Sequence, residues 1–179
     1  MMKPMMKAMT KALVLGLVCA AAAWGQAPTF VHEGVIDAPV AEVWKVFSTS
    51  EGYKALGVAL ADVDFRVGGT IRSRYRADGV LGDDETIENQ IMAYEPLRMV
   101  AMRIQKPPRT FPFQRAWKQG WTVMTLTDLG NGRTHLRAAS VDFGTDEESQ
   151  AMRRFFERGN RQTIETLQKF FAARQRVGQ

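Results

Sequence analysis

The chain carries 24 Lys and Arg against 19 Asp and Glu over 179 residues, a formal charge of +5, with a single cysteine, Cys19. Three of the lysines and the cysteine fall in the first 25 residues; without that segment the balance is 21 against 19, or +2. A charge so near neutral argues against nucleic acid as a partner, and the remaining chain can form neither a disulfide nor a thiolate metal site.

Residues 1–25 have the three parts of an export signal. Lys3, Lys7 and Lys11 make a basic start with no acid nearby, and residues 12–23 are apolar. Ala23 and Gly25 satisfy the small-x-small rule for cleavage between Gly25 and Gln26. The apolar run is about a dozen residues, too short to cross a hydrocarbon core of roughly 30 Å as a helix. Val18, rather than a small residue, precedes Cys19, which argues against a lipid anchor. The expectation is a signal peptide at 1–25, a short linker at 26–28 and a periplasmic or secreted remainder. That remainder is about 154 residues, enough for one domain with one core.

Phe30–Ile36 reads as a first strand, rich in β-branched residues and stopped by Asp37-Ala38-Pro39. Pro39 fits a first helical turn, where its missing N–H has no partner to lose. Val40, Val43, Trp44 and Phe47 then recur at helical spacing. Ser48-Thr49-Ser50-Glu51 reads as a capping box for a second short helix, with Ser48 accepting from the Glu51 amide. That helix runs out near Gly57.

A strand-rich stretch follows. Residues 61–67 and 70–77 flank Gly68-Gly69, a two-residue hairpin signal. Residues 84–94 and 98–105 flank Glu95-Pro96, and residues 117–129 and 133–143 flank Gly130-Asn131-Gly132. Successive hairpins predict an antiparallel sheet with two unlike faces. The chain closes with a long helix, opened by a capping box at Thr145-Asp146-Glu147-Glu148. Met152, Phe155, Phe156, Gly159, Thr163, Ile164, Leu167, Phe170 and Phe171 form its apolar stripe, which only the sheet can cover.

Two features interrupt regular packing. Gly159 lies mid-helix, where Gly costs about 1 kcal/mol relative to Ala. Either the helix approaches the sheet closely there, or the missing side chain leaves room for a ligand, with Asn160 as a polar contact. Residues 105–116 carry Pro107, Pro108 and Pro112 with Phe111 and Phe113. They form either a lid or a plug at the end of the sheet.

The order of strand, two short helices, hairpins and long helix is that of the helix-grip fold, an α+β architecture in which a curved antiparallel sheet wraps a C-terminal helix. In detail, Ile36-Asp37-Ala38-Pro39-Val40-Ala41-Glu42-Val43-Trp44 resembles the start of the first helix in the START-like (SRPBCC) superfamily. Asp64-Phe65-Arg66-Val67-Gly68-Gly69 resembles the D-x-R-x-G-G turn of its branch named for activator of Hsp90 ATPase homologue 1. Ala93-Tyr94-Glu95-Pro96 and Leu129-Gly130-Asn131-Gly132-Arg133-Thr134 match two further landmarks. The resemblance spans residues 29–173 and leaves 174–179 as a tail. Leu56-Gly57 departs from the Trp that many members carry after the second helix.

The resemblance implies a cavity between sheet and helix for an apolar or amphipathic small molecule. Members of the superfamily include lipid carriers, hormone receptors, polyketide aromatase/cyclases and ring hydroxylase subunits, so the fold alone selects no function. Hsp90 is cytosolic and is not an expected partner of an exported chain. The residues expected to line the cavity are Phe111, Phe113, Trp117, Met152, Phe156, Gly159, Asn160 and Thr163, with Phe111, Phe113 and Trp117 at its mouth.

Catalytic constellations are sparse. His32 and His135 lie on separate strands and make no metal site without carboxylates around them. There is no G-x-S-x-G elbow and no Gly-rich phosphate loop. Strand alternation lets Asn89, Arg103, Ser140 and Asp142 point inward. A buried Asp142 would have a raised pKa and could move protons, with Arg103 beside it. The leading expectation is a non-catalytic binding domain with neither metal nor cofactor. The alternatives are a cyclase- or lyase-type enzyme using Asp142 and Arg103, and a protein-interaction module. The oligomeric state is left open.

Overall fold

The strands and helices follow the hydrophobic pattern closely, with the exceptions concentrated at caps and turns. In the computed structural model, residues 30–177 are described; the expected signal peptide, cleavage site and linker lie outside the described residues. Strand β1 (Phe30–Ile36) leads into α1 (Val40–Ser48), α2 (Ser50–Tyr53) and a 3-10 turn (Lys54–Leu56). Gly57 then ends the turn at φ 87°, a left-handed conformation in which a Cβ would be strained. Six strands follow: β2 (Leu60–Val63), β3 (Thr70–Arg74), β4 (Ile87–Glu95), β5 (Met99–Lys106), β6 (Trp121–Gly130) and β7 (Arg133–Val141). Helix α3 (Glu147–Val177) closes the chain.

All seven strands form one antiparallel sheet in the order β1-β7-β6-β5-β4-β3-β2. Ile71, Ile91, Val100, Met124 and Leu136 project from its inner face onto Ile164, Leu167 and Phe171 of α3 and Phe47 of α1. This is the helix-grip architecture. Gly34 on β1 is a point of close approach to α3, since a Cβ there would lie 2.7 Å from Ile164 Cγ2. A smaller apolar cluster of Phe30, Phe111, Ala116, Phe143 and Met152 closes the opposite end.

Both helix caps are one residue later than the sequence pattern predicts. Thr49 is extended and its Oγ1 accepts from Gly52 N at 3.0 Å, capping α2. Ser48 cannot cap because it is the last turn of α1, where its Oγ donates to Trp44 O. At α3 the cap is Asp146, whose carboxylate accepts from Ser149 N at 3.1 Å and Ser149 Oγ at 2.5 Å. Glu148 instead accepts from Arg115 N and Nε, tying the start of α3 to the proline-rich loop. At its other end α3 continues past residue 173, and Gln175 Nε2 donates to Asp37 O. Residues 174–177 are therefore helix rather than tail.

The strand ends also move. Residues 64–69 form a loop, not a two-residue turn, because Gly68 N donates to Ile91 O and Ile91 N to Gly69 O. The loop thus pairs with β4 rather than simply reversing the chain. Residues 75–86 leave the sheet altogether, held by Arg74, Asp83 and Thr86. Strand β6 starts at Trp121, after a 3-10 turn (Ala116–Lys118) that takes up Trp117.

Candidate functional site

Where the sheet curves away from α3, between the two apolar clusters, the fold leaves a cavity of about 730 Å³. That is within the roughly 300–1,000 Å³ of small-molecule sites. Helix α3 supplies one wall through Phe155, Phe156, Gly159, Asn160, Thr163 and Thr166. The sheet supplies the other through Ile87, Met102, Ile104 and Met124, and the helical segment before β2 adds Tyr53, Leu56 and Val58. Pro107, Pro108 and Phe111 of the long loop close one end. Apolar periodicity on β4, β5 and β6 thus makes core where α3 is close and cavity wall where it is not.

Gly159 marks the difference. Nothing lies within 4 Å of a Cβ built there, so the helix is not in close contact with the sheet at this point. Of the two readings the residue allowed, open space is the one found. Close approach belongs to Gly34, which the sequence pattern does not single out.

Three sets of polar groups stand out in the walls. Asn160, 5 % exposed, donates from Nδ2 to Oγ of Ser140, which is fully buried, at 2.9 Å. Thr122 Oγ1 lies 3.4 Å from the same oxygen. On the second wall Tyr53 is buried, and burial pushes its phenol up to about 12; Tyr75 adds to this, and a hydrogen bond from the Asn89 side chain opposes it. A neutral phenol is therefore held in the cavity throughout the physiological range.

The third set surrounds Arg74, which is 8 % exposed. Its Nε donates to Asp83 Oδ2 at 2.9 Å, and its Nη1 donates to Asp78 Oδ1 at 2.9 Å and to Arg76 O at 2.8 Å. The Arg76 guanidinium, then that of Arg74, hold the Asp78 carboxyl well below the usual range. Asp83 also accepts from Thr86 Oγ1 and Glu85 N. This network fixes the long excursion between β3 and β4 along the rim of the cavity.

Five of the residues expected at the cavity come together there: Phe111, Phe156, Gly159, Asn160 and Thr163. Phe113, Trp117 and Met152 do not line it. Met152, 1 % exposed, packs with Phe30 and Phe143 one turn before Phe156, and Phe113 and Trp117 pack against that same small cluster. The loop therefore plugs the end of the sheet with Phe113 and gives Phe111, beside Pro107 and Pro108, to both the plug and the cavity.

The acid/base pair does not form. Asp142 is exposed, past the end of β7 at φ 62°, and does not line the cavity. Burial, which the proton-transfer role required, is absent. Arg103 runs along the wall, but its guanidinium donates to Gln90 Oε1 on the face opposite Ile91 and Met102. Asn89 lines the cavity, and Ser140 lies behind Asn160. His32 is half-buried beside Phe30 on the inner face, whereas His135 faces outward, 3.7 Å from Glu33. Among the described residues no cluster of three His, Cys, Asp or Glu could hold a metal ion.

Sequence reasoning missed Tyr53, Tyr75 and the Arg74 network. The available signal was the run of Asp78, Asp83 and Glu85 after an expected strand that carries Arg74 and Arg76.

Comparison with known proteins agrees with the fold. Residues 37–172 match the model of a family described as activator of Hsp90 ATPase homolog 1-like protein. Among solved structures, protein MLL2253 from Mesorhizobium loti aligns at TM-score 0.62 with 20 % identity, covering 82 % of this chain and 98 % of that one. CalU16 from Micromonospora echinospora aligns in its solution structure at 0.57 with 19 % identity, covering 81 % and 66 %. The Aha1 dimer from Colwellia psychrerythraea aligns at 0.56 with 15 % identity, covering 79 % and 96 %. No curated protein matches the chain.

Proposed function

We propose a carrier role for this chain, which belongs to the family of activator of Hsp90 ATPase homolog 1-like proteins. In this reading the domain is exported, binds an apolar or amphipathic small molecule between its sheet and α3, and does not transform it. The observation that carries the reading is a cavity of about 730 Å³ whose helix wall is open at Gly159. A mid-helix glycine with empty space beside it costs helix stability and gains no packing, which fits a residue kept for the room it leaves. Asn160 and Tyr53 supply the few polar contacts that would orient a bound molecule.

Native mass spectrometry of protein purified from the periplasm tests this directly. A co-purifying small molecule is expected on the wild type and absent from Gly159→Leu, whose side chain would occupy the cavity. An empty wild-type cavity that also fails to take up an apolar dye would overturn the carrier reading. Intact-mass analysis of the same sample tests export, for which the expected mature chain begins at Gln26. With export, Hsp90 is not a partner.

A second reading, an acid/base enzyme of the cyclase type, gains support from one observation. The Tyr53 phenol is a neutral hydrogen-bond donor in a buried site, able to polarise a carbonyl. Under this reading Tyr53→Phe abolishes turnover of a candidate polyketone and leaves its binding within a few-fold.

A further inference from the structure

The ionisable side chains along the cavity are unequal in sign. The charged ones are Arg74, Arg76, Arg103 and Arg158 against a single acid, Glu85. Most are already committed. Arg74 and Arg76 are paired with Asp78 and Asp83, and Arg103, which has no ion pair among the described residues, turns its guanidinium to the outer face, where it donates to Gln90 Oε1. Glu85 accepts from Thr110 Oγ1 at 2.9 Å and lies 3.7 Å from Arg109.

Arg158 differs. It is exposed, it lines the cavity beside Gly159, and it makes no ion pair among the described residues. Residues 153–161 of α3 hold Arg153, Arg154, Arg158 and Arg161 against Glu157 alone. Arg154 and Arg158 are four residues apart on one helix face, a spacing at which like charges repel and weaken a helix. Arg154 is also exposed. An anion brought to Arg158 would relieve that repulsion.

The same stretch of α3 therefore has an apolar opening at Gly159 and an uncompensated cation one residue before it. Thr163 and Gln162 flank the opening with groups that can donate to an oxygen anion. We infer that the cavity takes a single-chain amphiphile with a carboxylate head, the chain running past Gly159 into the apolar interior and the head held at the rim by Arg158. The inference rests on the carrier reading and adds the class of ligand.

Oleate and oleyl alcohol, which share a chain and differ in head, are the probes, with displacement of the neutral dye Nile red as the readout. Oleate is expected to bind the wild type about tenfold more tightly than the alcohol, as one charge-assisted contact at a partly exposed site allows. Arg158→Glu should remove that preference by weakening oleate about tenfold or more and the alcohol by no more than about twofold, Arg158→Lys should keep most of it, and raised salt should weaken oleate alone. The thermal midpoint of each variant reports folding independently of binding. Equal affinity for both probes, or equal loss of both in Arg158→Glu, overturns the head-group assignment and leaves the carrier reading intact. Failure of both probes and of Nile red overturns the two together. Sedimentation with phosphatidylglycerol vesicles that is lost in Arg158→Glu, with oleate affinity unchanged, would give Arg158 to a membrane surface and overturn the inference.

Discussion

Gly34 of β1 lies against Ile164 of α3 so tightly that a single added methyl group would come within 2.7 Å of Ile164 Cγ2. On the same helix Gly159 has nothing within 4 Å of where its Cβ would be. Two glycines at one helix–sheet layer thus answer opposite demands. Gly34→Ala is expected to destabilise by about 1–3 kcal/mol, as overpacking does. Gly159→Ala is expected to stabilise by about 1 kcal/mol through helix propensity. Urea unfolding of the two variants checks both signs, and a destabilised Gly159→Ala would contradict the open wall.

Asn160→Ala removes the donor that satisfies the buried Ser140 hydroxyl. Thr122, at 3.4 Å, is too distant to replace it fully. The expected loss is about 1–3 kcal/mol in chemical denaturation. Adding Ser140→Ala should restore part of that stability, because both polar partners are then gone; a strictly additive double variant would show that the two side chains are uncoupled.

Acid sensitivity should track the Arg74 network. The Asp78 pKa is lowered from an ordinary 3.8, first by Arg76 and then by Arg74, and Asp83 is lowered as well. A carboxylate whose folded pKa is depressed binds fewer protons folded than unfolded. Its contribution is therefore present above about pH 4 and is lost as pH falls through the depressed folded value. Stability measured from neutral pH down to pH 2 should fall less steeply in Asp78→Asn than in the wild type. A parallel acid limb in the two proteins would refute the assignment.

The phenols give a test at the other end of the scale. Of the three tyrosines, Tyr75 is exposed and Tyr94 borders on it, whereas Tyr53 is buried and its pKa is raised to about 12. Ultraviolet difference titration should show a late-ionising phenol, and Tyr53→Phe should remove that late step. With the folded pKa above the unfolded value, this group's contribution is full below about pH 10 and is lost as pH rises toward 12.

The β-branched run at Phe30–Ile36, the turn at Gly130-Asn131-Gly132 and the stripe from Met152 to Phe171 are all local patterns, and each predicts an element that is present. Cap positions slip by one because Ser48 and Thr49 both offer a hydroxyl. Which one caps depends on which backbone is extended, a property of the α1–α2 corner rather than of either residue. The cavity was legible as a wall of α3, from Phe156 to Thr163, since one helix face repeats at fixed spacing. It was not legible where three separated segments converge. Tyr53, Asn89 and Arg74 meet only through the sheet, and Met152 differs from Phe156 by one turn yet lies in solid core. Asp142 read as an inward strand residue because alternation was extended past Val141, where φ 62° ends it.

The strand order has a kinetic consequence. β1 pairs along its whole length with β7, from Phe30↔Ser140 to Ile36↔Thr134, while β2, next in sequence, lies at the far edge. The first strand thus has no sheet to join until the last hairpin exists. Closing so long a loop makes this a high-contact-order chain whose final docking step is slow. During synthesis, Phe30–Ile36 cannot pair until residues 134–140 have been made, so the first strand to emerge is among the last to take its place in the sheet.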